Sequence, residues 1–94
     1  MHIGLLTIHV QLSGCASLKE KRGQIKPVLA RLHREFNVSV AEVGYQDRWN
    51  EAIVAVTIVG SDPTVNHQTI QGIVEYFEKH WPDLTLLETT IETR

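Results

Sequence analysis

Ninety-four residues, 43% of them apolar and 21% charged, set the size of one domain with one core, here residues 1–94. A formal charge of -2 excludes a polyanion grip by the whole surface, and a single cysteine, Cys15, excludes an intrachain disulfide. Charge is unevenly spread: residues 1–36 hold six Lys/Arg against two Asp/Glu, and residues 61–94 hold two against six.

The start, from Met1 to Gly4, has no cationic segment, and its apolar run is interrupted by Thr7, His9 and Gln11. The expectation is therefore neither a signal peptide nor a membrane span, and a cytoplasmic setting. Residues 2–12 alternate with period two. Leu6, Ile8, Val10 and Leu12 fall on one side, and Leu5, Thr7, His9 and Gln11 on the other. This is a strand. Cys15 follows in a loop with no CxxC or histidine companion and reads as an inert small residue, the alternative being a reactive thiol helped by the adjacent helix start.

Ser17 with Glu20 makes a capping-box pattern that opens a helix. Leu18, Ile25, Val28, Leu29, Leu32 and Phe36 then form one apolar stripe at helical spacing. Pro27 removes a backbone donor inside that stretch, which predicts a kink or a broken turn near Gly23. Residues 37–43 read as a short strand, and Gly44 to Trp49 as a polar turn. Residues 50–60 are rich in β-branched side chains and give the clearest strand signal. Asp62-Pro63 is an N-cap with proline at the first helical position, opening a helix from 63 to about 81. Its Ile70, Ile73, Val74, Phe77 and Trp81 share a face. After Pro82-Asp83, residues 84–92 form a last, threonine-rich strand.

The order β-α-β-β-α-β predicts an α+β, ferredoxin-like fold: a four-stranded antiparallel sheet with two helices on one face. The expected core contains Leu6, Ile8, Val10, Leu29, Leu32, Val54, Val56, Ile58, Ile70, Val74 and Phe77. The first and third strands are expected at the centre. The opposite face is then uncovered, with Leu5, Thr7, His9 and Gln11 beside Ile53, Ala55, Thr57 and Val59. That mixed surface calls for a cover, whether a second copy of the chain, another protein or a nucleic acid, and a homo-oligomer contact through Leu5, Thr7, Ile53, Ala55, Thr57 and Val59 is the first expectation.

The runs Ser17-Leu18-Lys19-Glu20-Lys21-Arg22, Phe36 to Val43, and Gln46-Asp47 with Trp49 and Ala52, resemble the YlxP-like domain-of-unknown-function family of bacteria. The resemblance spans nearly the whole chain. It implies a ferredoxin-like fold, a cytoplasmic setting and a gene context near translation initiation and ribosome maturation, and it implies no catalytic activity. Lys21 falls inside the apolar sector of the first helix, where an unpaired ammonium is costly and a carboxylate partner is required. The resemblance nominates Glu42, because the two motifs occur together.

Lys19, Arg22, Lys26 and His33 fall along one flank of the apolar stripe and form a candidate phosphate-binding strip for RNA or the ribosome. The alternative is a solvated helix face whose long side chains lie over the core edge. Gln46, Asp47, Arg48 and Trp49 form a candidate recognition loop. In the alternative, Asp47 caps backbone N–H groups and Trp49 covers a sheet edge or helix end. All six aromatics, Phe36, Tyr45, Trp49, Tyr76, Phe77 and Trp81, lie on helices or the turn, so no base-stacking aromatic stands on the central strands. The five histidines show no ligand spacing, so no metal is expected. No catalytic set and no cofactor motif is present. The leading reading is a non-enzymatic binding protein that associates through its open sheet face. The alternatives are a small-ligand-sensing module with its site at a subunit interface, and an enzyme whose site is shared between subunits.

Overall fold

The computed structural model describes every residue, Met1–Arg94. The elements run in the order β1 (His2–Leu12), α1 (Leu18–Phe36), β2 (Ser39–Gly44), β3 (Glu51–Gly60), α2 (Pro63–His80) and β4 (Leu84–Thr93). The strands form one antiparallel sheet in the order β2-β3-β1-β4, with β1 and β3 central. This is the ferredoxin-like arrangement, and β2 and β3 pair as the antiparallel hairpin that a short connection requires. No helix is long and apolar enough to cross a membrane.

Both helix starts follow the local chemistry. Ser17 is extended, and its hydroxyl accepts from the Glu20 N–H at 3.2 Å. The return arm of the box reaches one residue further back, where Glu20 accepts from the Ala16 N–H at 2.8 Å. Asp62 accepts from the Thr64 N–H at 2.9 Å, with Pro63 in the first turn. The broken turn expected near Gly23 is absent: α1 runs through Pro27 without interruption. Gly23 and Pro27 both lie on the exposed side, so the carbonyl that loses its donor is open to water.

A cluster of 16 buried apolar residues lies between the helices and one face of the sheet. Every expected core position belongs to it or packs against it, with Leu29, Ile58 and Val74 only partly buried. Cys15, Val38, Ala52, Ile73 and Leu84 also belong to it. Burial, reinforced by Glu20, raises the Cys15 thiol pKa above its ordinary value, so the thiolate is scarce at neutral pH. Asn66, in an otherwise apolar stripe of α2, is buried and donates to the His2 carbonyl at 3.3 Å. It sits where a Cβ on Gly60 would stand, so a glycine at the end of β3 makes room for it.

A candidate binding surface on the open sheet face

The face away from the helices carries one residue in two from each strand. Leu5 opposes Thr57, Thr7 opposes Ala55 and His9 opposes Ile53 across β1 and β3. Ser39 and Ala41 extend these rows on β2, where they face Thr57 and Ala55. Leu5, Thr7, Ile53, Ala55 and Thr57 are half-buried, and Val59 is 64% exposed. The structure therefore brings all six expected contact residues onto one surface, with neither helix above them.

The turn between β2 and β3 does not stay at the rim. Tyr45 has a left-handed backbone with φ of 54°, and its ring centroid lies 5.2 Å from that of His9 on β1. An aromatic side chain thus reaches the sheet face although none is borne by the central strands. The tether is Lys21. It is only 1% exposed, and its Nζ lies 2.7 Å from Glu42 Oε2 and donates to the Tyr45 carbonyl at 2.6 Å. The partner nominated for Lys21 is the one found, and the pair joins α1, β2 and the turn. Gly44 is held to glycine at this corner, because a Cβ there would stand 2.8 Å from the Ile53 side chain.

The remaining turn residues divide. Arg48 donates to Glu51 at 2.7 Å, its guanidinium lies 4.9 Å from the Tyr45 ring centroid, and its N–H closes the turn on the Tyr45 carbonyl at 2.9 Å. Gln46 donates to the Glu42 carbonyl at 3.3 Å. Asp47 makes no hydrogen bond to the chain, so the expected N–H cap is absent. Trp49 is 48% exposed and stays outside the core cluster.

Glu51 also meets His9, Nε2 to Oε1 at 3.2 Å, so Arg48, Glu51, His9 and Tyr45 form one connected group. The Arg48 hydrogen bond holds the Glu51 carboxyl below its ordinary pKa. Partial burial opposes that shift, and the His9 hydrogen bond adds to it. A depressed folded value contributes stability above the ordinary glutamate range, near pH 4.3, that is lost as pH falls through the lower folded value. Glu51→Gln is expected to flatten the acid limb of stability. Denaturant midpoints measured from about pH 6 down to pH 3 check this, because wild type should fall more steeply than the variant.

Of the basic strip, Lys19, Arg22 and Lys26 are exposed on α1, and none has a carboxylate within ion-pair distance. His33 differs. Its Nδ1 donates to the Val38 carbonyl at 2.6 Å, which ties the end of α1 to the start of β2. It is a structural tie on one nitrogen, which leaves three cations in the strip. No group of three or more His, Cys, Asp or Glu side chains stands close enough to hold a metal ion.

A hollow of about 220 Å³ lies on the open face, lined by Thr7, His9, Tyr45, Ile53, Glu88 and Thr90. Sequence reading missed Glu88 and Thr90. A bulge in the β1–β4 ladder, between His9 and Val10, shifts the alternation so that Leu84 and Leu86 face the helices while Glu88 and Thr90 join His9 and Thr7.

The family model described as "Protein of unknown function (DUF503)" matches residues 3–91. The "Uncharacterized protein YlxP" of Bacillus subtilis (strain 168) is 30% identical over 90 residues, which cover 96% of this chain and 97% of that protein. Among solved structures, "De novo designed protein Foldit4" superposes with a TM-score of 0.53 at 20% identity, covering 99% of this chain and 94% of the other. That likeness concerns the fold alone.

Proposed function

The chain belongs to the DUF503 family, and as that description assigns no activity, we propose from the geometry that it is a non-enzymatic binding protein that pairs with a second copy through its open sheet face. The observation that carries this reading is the face itself. Val59 and Val43 are 64% and 54% exposed beside half-buried Leu5 and Ile53, with no helix or loop above most of them. Three strands about 33 Å long and the shorter β2, about 20 Å, lie about 4.8 Å apart and outline a face of roughly 600 Å² before side-chain relief is added. A stable interface takes about 800 Å² from each partner, so the whole face has to take part. A face-to-face pairing uses the same patch on both copies, as two-fold symmetry requires.

The test is a charge placed at the centre of the face. Ile53→Lys is expected to leave the fold intact, by far-ultraviolet circular dichroism, and to halve the apparent mass in sedimentation velocity. The lysine would otherwise be buried without a partner. An unchanged dimer would reject this face as the contact.

A second contact is supported by a separate observation. Lys21 is paired in the interior, whereas Lys19, Arg22 and Lys26 point outward with no carboxylate partner. Three unpaired cations at helical spacing suit a phosphate backbone, and RNA or the ribosome is the partner class proposed for this flank. The cytoplasm is the compartment that goes with such a partner and with a lone, reduced cysteine.

A further inference from the structure

Both irregularities of the sheet fall on one row. The β2–β3 ladder shifts between Glu42 and Gly44, and the β1–β4 ladder shifts beside His9. Between them runs the line Gly44, Ile53, His9 and Glu88, one residue from each strand in register. Bulges re-aim side chains and concentrate beside binding sites. Here one lets the turn fold Tyr45 inward, and the other turns Glu88 and Thr90 onto the open face. The hollow of about 220 Å³ lies on this row.

Its walls are fixed and its polar groups are free. Tyr45 is anchored through its carbonyl by buried Lys21, and His9 is oriented by Glu51, which Arg48 holds in turn. Glu88 takes part in no ion pair, and the hydroxyls of Thr7, Tyr45 and Thr90 bond to nothing else in the chain. The lining thus offers one uncompensated carboxylate, three hydroxyls and an aromatic ring. Its only neighbouring guanidinium, that of Arg48, is already engaged by Glu51. A negative ligand would meet Glu88, and the imidazole of His9, the one other ionisable side chain of the lining besides Tyr45, is already taken up by Glu51, which disfavours phosphates and carboxylates.

We propose that this hollow binds a small organic cation, a primary ammonium or guanidinium group, with Glu88 as its counter-ion and Thr7, Thr90 and Tyr45 as surrounding acceptors. Carboxylate pairing and an aromatic wall are what such a group requires. The volume lies below the range of about 300 to 1,000 Å³ usual for drug-sized ligands, so the hollow takes a head group and a short chain, not a nucleotide. This inference goes beyond self-association: the hollow is formed within one chain but lies on the pairing face, so a second copy encloses the bound cation or competes with it.

The experiment is an NMR titration of the full chain with n-butylammonium chloride and with ethylguanidinium chloride, against sodium chloride at equal ionic strength. Saturable shifts are expected for the amides of Thr7, His9, Tyr45, Glu88 and Thr90. Glu88→Gln keeps the shape and removes the charge, and should weaken binding by about ten-fold or more, as loss of a charged hydrogen bond does. Glu92→Gln, on the same strand outside the hollow, should leave it unchanged. A lysine-containing pentapeptide forms the second arm: equal affinity marks a site for the free cation, and tighter binding of the peptide marks a site for a protein side chain. Shifts that match sodium chloride, or binding that survives Glu88→Gln undiminished, would overturn the proposal. Sedimentation of the same samples separates this outcome from any failure of self-association.

Discussion

Lys21→Ala is expected to cost about 3 kcal/mol of folding stability, the low end of the range for breaking a buried ion pair because Glu42 keeps some contact with water. The ammonium makes two short contacts, to Glu42 Oε2 at 2.7 Å and to the Tyr45 carbonyl at 2.6 Å, inside a sector that is otherwise apolar. Removal leaves the Glu42 carboxylate without its counter-ion, leaves the Tyr45 carbonyl with the Arg48 N–H alone and opens a cavity in the interior. Chemical denaturation at neutral pH measures the loss. The double replacement Lys21→Met with Glu42→Leu removes both charges and should return stability to within about 1 kcal/mol of wild type. It should not restore the turn. With its anchor gone, the Tyr45 ring is expected to leave His9, which is seen as loss of the ring-current shift on the His9 side chain. If the double variant keeps that shift, Lys21 serves stability only.

The triple replacement of Lys19, Arg22 and Lys26 by alanine is expected to abolish RNA retention by this chain. The three side chains are exposed on α1 without carboxylate partners, and β4 and the end of α2 are acidic; Arg34, also exposed and unpaired, stands apart near the end of the helix. Each phosphate contact contributes a salt slope of roughly 0.7 to 0.9, so single replacements should lower the slope by one such step each. The loss should be about equal for all RNA sequences, because phosphate contacts carry no base information. Filter binding in low salt, near 50 mM, measures both quantities. Wild-type protein that retains no RNA under those conditions would end this reading, and the flank would then be a solvated helix face.

The fold was legible because its signals are local and repeated. Alternation in β1 and β3, two helix caps and Pro63 set the element order, and element order with short connections leaves few topologies. Lys21 was legible as a misfit, since a lysine inside an apolar stripe demands a partner. The identity of that partner came from the resemblance, because nothing in spacing links residues 21 and 42. The hollow was not legible. Period-two counting carries Leu84 and Leu86 forward to put Glu88 on the helix side, and only the bulge reverses this. Tyr45 on the sheet face depends on a positive φ at a tyrosine, which sequence does not signal as a glycine would. Pro27 misled in the other direction, because the cost of its missing donor depends on whether water reaches the Gly23 carbonyl.

Cover of the open sheet face by a second copy of the chain is read by sedimentation equilibrium of the wild type over a concentration series. The monomer mass is 10.6 kDa. Twice that mass is expected at micromolar concentration, with a return to the monomer mass when Val59 or Ile53 becomes lysine. Wild-type protein that remains at the monomer mass up to high micromolar concentration would contradict it.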